Sequence, residues 1–279
     1  MSSLRIKKFA GLLSFYATLL IFLGFMLFPV YWMLTGSVKS FDDLYDPSKL
    51  FPLNVDLSSY RAVFSPEFSQ QFVNSLVVAT GVTILALVVS YPAAYALSRL
   101  RFRFSSAFSQ LALFSYLFPS TFLIFPMAIL INIYGLYNTH VGLILAETVL
   151  TVPYSIWLLA GYFNTIPREL DEAALVDGAS LLTTLTKIIL PLSVPVLVAV
   201  TMFAFMESWN QYLFVLVLLL ERDSWTLPVG VASLIISDIV PWGKMFAMST
   251  MYSLPSVIIF FFIEKYMVTG LVRGTELKG

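Results

Sequence analysis

The chain has 279 residues, of which 59% are apolar, 16% aromatic and 11% charged, with 16 basic against 16 acidic side chains. Soluble domains carry about 25% charged and about 45–50% apolar residues, so a soluble enzyme and a disordered chain are both excluded. With a mean hydropathy of +0.87, the composition points to an all-α, polytopic membrane protein. The charge balance offers no basic patch for nucleic acid. There is no cysteine and a single histidine, His140, which excludes disulfides, thiolate metal sites and zinc sites built from several histidines.

A bilayer core needs about 20 mostly apolar residues per helix. The first such run is 11–34. It follows Arg5, Lys7 and Lys8, but it is too long for a signal h-region and no small-residue cleavage site follows, so it reads as a retained span. The stretch 35–71 is polar, with Asp42, Asp43, Asp46, Pro47, Pro52 and Asp56, and reads as a loop with one short surface helix. Further spans fall at 72–97, at 108–134 (interrupted by Pro119 and Pro126), at 141–163, at 192–220 and at 245–267, six in all. Prolines within spans are tolerated where neighbours satisfy the freed carbonyls.

Basic residues set the orientation. With the N-terminus cytoplasmic, Arg5, Lys7, Lys8, Arg99, Arg101, Arg103, Arg168, Lys187, Lys265, Arg273 and Lys278 lie inside; only Lys39, Lys49, Arg61, Arg222 and Lys244 lie outside. Both termini are then cytoplasmic. The organisation reads as an N-terminal span with the first extracytoplasmic loop (1–71), a core of five spans (72–267) and a cytoplasmic tail (268–279). Localisation is a cell inner membrane, multi-pass, in contact with lipid.

The loop 164–191, between the fourth and fifth spans, differs from the others. Pro167 suits a first helical turn, Glu169 and Asp171 sit where the helix dipole favours anions, and Gly178 is a terminator. This predicts a short cytoplasmic helix over 167–177 and a second over 181–190 that stops before Pro191. Leu170, Ala173 and Ala174 share a narrow face of the first helix. Arg168, Glu169, Asp171 and Glu172 share a broad polar arc, within which Leu175 and Val176 fall. Apolar residues among charges on an exposed face read as a protein-docking surface, although interfacial helices on membranes share that pattern.

Glu172, Ala173 and Ala174, then Gly178 after three residues, then Ile188 after nine with Leu190 and Pro191 close behind, resemble the EAA loop of ABC-importer permeases. Asn74 and Ser75, Trp209 and Asn210, the run Leu227, Pro228, Val229, Gly230, and a tail carrying Gly270, Arg273, Gly274 and Lys278 are similar to carbohydrate-uptake permeases, most of all the MalG (maltose/oligosaccharide) type. The resemblance implies a permease subunit that moves a sugar or oligosaccharide. Its implied partners are a second homologous permease, two ATPase subunits and an extracytoplasmic binding protein. It implies that Glu172, Ala173, Ala174, Gly178, Leu175 and Val176 couple to an ATPase subunit: Glu172 pairing with it, the alanines allowing close approach, Gly178 allowing the turn. The tail, with Arg273 and Lys278, is implied to reach toward the ATPase interface. The chain contains no G-x-x-x-x-G-K-[ST] run, so no catalytic residue and no bound cofactor or metal is expected here; ATP and Mg belong to the partner ATPase subunits.

A sugar path needs hydrogen-bonding groups and aromatic faces. Glu207, Trp209, Asn210 and Tyr212 in the fifth span and Glu147 in the fourth supply them, and polar groups at membrane depth usually face a bundle interior. Packing or helix bridging are the plain alternatives for each. His140 reads as a polar loop residue beside an outer turn, and Trp242 and Met245 as contacts for a binding protein. Two other classes remain open. An ion-coupled secondary transporter would show inverted repeats and intramembrane coupling charges, and would carry protons without ATP. An integral membrane transferase would cluster Asp or His at one membrane face, for which the pair Asp42–Asp43 is the best place in the chain.

Overall fold

The computed structural model describes residues 2–276 except 47, 53, 101–103 and 237–239, and describes the backbone alone for 2–7, 10, 106, 236 and 263–276. Every regular element among the described residues is helical. Helix α1 (Ser2–Gly36) is apolar around its whole circumference between residues 11 and 34, the pattern of a membrane span. Two short helices follow, α2 (Phe41–Leu44) and α3 (Ser58–Val63), where the sequence predicted one. Helix α4 (Pro66–Arg99) starts six residues before the predicted span.

The predicted third span is not one rod. Helix α5 (Ser105–Tyr116) breaks at Pro119, a 3-10 turn Ser120–Leu123 intervenes, and α6 (Ile124–Ile133) leaves at 91° to the first piece. Pro119 has no N–H to continue the ladder, whereas Pro126 lies in the first turn of α6 where none is needed. Helix α7 (His140–Phe163) begins on an N-cap: Thr139 Oγ1 accepts from Gly142 N at 3.1 Å. Pro153 sits inside α7 without ending it.

Helix α8 (Glu169–Val176) forms within the 164–191 loop. Helix α9 (Leu181–Leu192) runs through Pro191 rather than stopping before it, and its segment Thr184–Ile189 is π-helical. Helix α10 (Val194–Trp209) then departs at 83°. Ser193, whose N–H and Oγ both donate to Ile189 O (2.9 and 2.6 Å), sits between the two helices and, with the wider π turn and the flanking Pro191 and Pro195, marks the kink. The predicted fifth span therefore ends at Trp209, not 220. A separate helix α11 (Leu213–Leu218), a 3-10 turn Arg222–Ser224 and α12 (Leu227–Ser233) follow. Helix α13 (Trp242–Glu276) carries the last apolar run. Its backbone stays helical through Glu276, past the predicted end of the span at 267 and into the predicted tail.

Four helices among the described residues are long and apolar enough to cross a membrane, or six if each bent pair counts as one. The chain forms two compact units, one of residues 1–65 with 233–253, the other of 66–232 with 254–279. In the second unit, one core gathers Val78, Val82, Ile131, Leu143, Phe214 and Leu218. Another gathers Tyr91, Tyr95, Leu159, Phe163, Ile189 and Val200 from α4, α7, α9 and α10. Alongside these cores, several polar side chains turn inward while large apolar ones face out. Ser90, Thr151 and Ser155 are buried while Val77, Ile84, Val88, Leu145 and Val149 are exposed, the inverse of a water-soluble surface. Most of these buried hydroxyls return to their own helix, as Thr148 does to Ile144 O (2.7 Å) and Ser155 to Thr151 O (2.8 Å), which keeps those donors paired in an apolar medium; Ser90 Oγ is buried without a partner.

Candidate functional site

Helix α8 presents two unlike faces. Outward lie Glu172 and Ala173 with Leu175 (52% exposed) and Val176 (87% exposed). Residues three and four apart share a helix face, so Glu172 stands beside Leu175 and Val176, with the exposed Glu169 one turn before it and the exposed Asp177 beyond Ala173. Inward lie Ala174 and Asp171, both buried. Ala173 is therefore the alanine open to close approach, and Ala174 packs within the chain. Burial of Asp171 corrects the sequence expectation, which placed it on the solvated arc with Glu172.

The helix ends as its sequence dictates. Gly178 has φ +79°, its N–H donates to Leu175 O (3.1 Å), and Ala179 N–H donates to Ala174 O (2.9 Å). These are the two bonds of a Schellman cap, which glycine closes without Cβ strain. Ser180 then caps α9 by accepting from Thr183 N at 3.2 Å.

Asp171 meets the end of α4. Tyr95 Oη donates to Asp171 Oδ1 at 2.9 Å, and Arg99 Nε lies 3.1 Å from Asp171 Oδ2. The N–H there is not aimed for a hydrogen bond, so charge holds that contact. Arg99 Nη2 donates to Ile166 O (2.9 Å), and Arg168 Nη2 donates to Ser98 O (3.1 Å). The Arg99 and Asp171 side chains are 5% and 13% exposed. Each sits at the favourable dipole end of its helix, a cation in the last turn of α4 and an anion in the first turn of α8. Removing one partner of a buried pair costs about 3–5 kcal/mol because the other charge is left uncompensated. Sequence reasoning missed Arg99 and Tyr95, since nothing local to either announces a partner some seventy residues on.

The polar residues at membrane depth do not form one cluster. Glu147 is 2% exposed and its Oε2 accepts a hydrogen bond from Ser208 Oγ, which ties α7 to α10. Trp209 is 1% exposed, stacked on Phe205 (centroids 5.5 Å apart) and edge-on to Phe72 (5.9 Å). Asn210 is the C-cap of α10, its Nδ2 donating to Met206 O at 2.7 Å. Tyr212 lies beyond the helix end and is exposed. Glu207 is half-buried, one turn from Phe203 on the same face. Phe203 meets Tyr154 (4.2 Å) and Tyr116 (5.7 Å), and Tyr116 meets Tyr154 (4.9 Å). The half-buried rings of α5, α7 and α10 thus gather beside Glu207, an assembly that sequence spacing could not reveal.

Other singled-out residues have structural partners. His140 Nε2 lies 2.9 Å from Ser224 O. Asn74 Nδ2 donates to Asp223 O (2.7 Å) and Trp225 O (3.0 Å), Ser75 Oγ accepts from Leu227 N (2.8 Å), and Gly230 faces Gln71. The two motifs around Asn74 and Leu227 are therefore one packed unit. Asp43 pairs with Lys49, and hydrogen bonds from Ser48 and Ser58 hold the Asp46 and Asp56 carboxyls below the usual carboxylate range. Trp242 lines a cavity of about 250 Å³ with Trp32, Lys39, Tyr45 and Phe246; Met245 is half-buried. The backbone at Arg273 is helical, while Lys278 lies outside the described residues. Among the described residues no acidic or histidine cluster could hold a metal.

Helices throughout the described residues, with exposed apolar faces and buried polar side chains, define an α-helical membrane protein in class. The chain belongs to the family of binding-protein-dependent transport system inner membrane components, whose model matches residues 86–268 and so includes α8. It is 34% identical over 272 residues to the inner membrane ABC transporter permease protein YcjP of Escherichia coli, covering 96% of this chain and 97% of that one. It is 35% identical over 257 residues to the trehalose/maltose transport system permease protein MalG of Thermococcus litoralis, covering 91% and 92%. The fold matches a chain in the crystal structure of a bacterial ABC transporter involved in the import of the acidic polysaccharide alginate. That match has a TM-score of 0.82 at 24% identity over 94% of this chain and 98% of that one. The protein is an inner-membrane ABC permease.

Proposed function

We propose that this permease imports a sugar or oligosaccharide, paired as a heterodimer with a second, homologous permease subunit, worked by a pair of ATPase subunits and fed by an extracytoplasmic binding protein. It crosses the membrane six times, each bent pair counting as one span, with both termini cytoplasmic. Residues 72–267 form the translocating core, flanked by 1–71 and the tail 268–279. The names of the relatives support a saccharide: besides the trehalose/maltose permease, they include the diacetylchitobiose permease DasC of Streptomyces coelicolor and the trehalose permease SugB of Mycobacterium tuberculosis.

The observation that carries the reading is α8, whose outer patch of Glu172, Ala173, Leu175 and Val176 is exposed while its inner face is fastened to α4. ATP and Mg bind the ATPase subunits. Their closure shifts the permease between inward- and outward-facing states, which requires differential contact in the two states, and α8 supplies that contact. The tail with Arg273 and Lys278 adds to the ATPase contact. Substrate passes Glu207 and the rings of Tyr116, Tyr154 and Phe203, whose half-burial suits transient contact with a sugar face better than the buried Trp209 does. Glu147 acts through Ser208, and Asn210 and Tyr212 sit at the mouth of this path. The binding protein docks near Trp242 and Met245.

The test is co-purification of the ATPase subunits with Glu172→Ala, Gly178→Ala and the double variant, alongside uptake of labelled trehalose and maltose. The expected result is loss of at least about tenfold in ATPase recovery, equivalent to about 1.4 kcal/mol of docking energy. Full recovery of the ATPase subunits with the double variant would overturn the role given to α8.

A further inference from the structure

Docking explains the outer face of α8 but not the inner one. An apolar inner face would hold α8 against α4 and still let it roll or slide. The contacts found there resist both. Asp171 is gripped on two oxygens by Tyr95 and Arg99, Arg99 also holds Ile166 O, and Arg168 holds Ser98 O. The contacts come from both chain directions across the α8–α4 junction. Each weakens steeply with misalignment or distance, and the charges are almost out of solvent. Buried ion pairs are poor evidence for stability, and their best-attested use is to fix register. Directly behind the junction, Tyr91 and Tyr95 meet Phe163 of α7 edge-on at 5.4 and 6.4 Å, and Tyr91 Oη donates to Leu185 O of α9 at 3.2 Å.

We propose that Arg99, Asp171 and Tyr95 form a rigid joint that passes displacement of α8 into α4, so that Arg99 and Asp171 are positioning residues for transport. The proposal rests on the reading of α8 as the ATPase-docking helix, and goes beyond it in naming where the motion goes. Breaking the joint leaves the docking patch intact, so the ATPase still binds and turns over, but the membrane helices no longer follow.

The experiment uses the full complex in proteoliposomes. The chain has no cysteine, so Glu207→Cys alone reports the path through its rate of maleimide labelling, with Mg-ATP and vanadate against no nucleotide. The expected parent response is at least about fivefold, the lower end of usual coupling strengths. Adding Asp171→Asn or Arg99→Gln brings the ratio to about one, while ATPase recovery and basal hydrolysis stay within about twofold of the parent. The Asp171→Asn/Arg99→Gln pair does no further harm, because both changes break one joint. Arg99→Lys, which keeps charge without the fork, restores part of the response. A parent-like ratio in the assembled single variants overturns the joint alone. Loss of ATPase recovery in step with the ratio also overturns it, by assigning the pair to folding. A parent that recovers the ATPase but shows no nucleotide response overturns the joint, because α8 then passes no motion to the path; full ATPase recovery with the Glu172→Ala/Gly178→Ala double variant overturns the docking reading itself, and the joint with it.

Discussion

Single atoms decide much of this structure. Gly142 sits in the first turn of α7, where an added Cβ would stand 2.2 Å from the carbonyl oxygen of Leu136 and 2.8 Å from Ile131 Cγ2. The oxygen is backbone and cannot rotate away. Gly142→Ala is expected to lower stability by about 1–3 kcal/mol, the usual cost of overpacking. Gly161, in the same helix, has nothing within 4 Å of such a Cβ. Gly161→Ala is expected to be neutral or to add up to about 1 kcal/mol from helix propensity. Thermal unfolding of the two variants in detergent checks the contrast. Equal destabilisation would show that the packing around residues 131–142 is not as described.

Among elements, the junction of α4 with the 222–227 segment shows how a sequence motif becomes a fastening. The Asn74 amide is fully used: it donates to Asp223 O and Trp225 O and accepts from Gln70 Nε2 at 2.9 Å. Asn74→Ala removes two hydrogen bonds from a buried amide to part-exposed carbonyls, at about 0.5–1.5 kcal/mol each. The expected readout is faster proteolysis between residues 219 and 227, with α4 itself still protected. Unchanged cleavage there would mean that Asn74 is dispensable to the segment. The sequence made the ends of α8 legible, because anions in a first turn and glycine at a left-handed terminus act locally. It misjudged α9 at Pro191. A missing N–H need not end a helix, and here a π-helical turn, closed by Leu190 N–H on Leu185 O, carries the chain up to and through the proline.

At the scale of the molecule, topology is the governing expectation. Eleven of the 16 basic residues fall on the side assigned to the cytoplasm. The cysteine-free background allows a direct check. Val176→Cys, at an 87% exposed position, should react with a membrane-impermeant maleimide only in opened cells. Asn138→Cys, in the turn before α7, should react in intact ones. The reverse pattern would put α8 beyond reach of any cytosolic ATPase and remove the basis for coupling.

By itself the sequence determined that the chain lives in a membrane, where its apolar runs lie, and that a short capped helix with an EAA-type motif falls at about 167–177, two residues early at its start against the observed Glu169–Val176. Composition, period and helix-end chemistry are properties of neighbours in the chain. Only the tertiary structure decided which face of that helix turns inward. Two arcs of a short amphipathic helix are equivalent until something packs on one, and Arg99 and Tyr95 on α4 made that choice by drawing Asp171 out of water. The 91° and 83° bends, the Ser208–Glu147 bond and the ring cluster beside Glu207 belong to the same class of fact. Each joins residues far apart in the chain, or depends on how freed carbonyls are satisfied, and no local pattern encodes either.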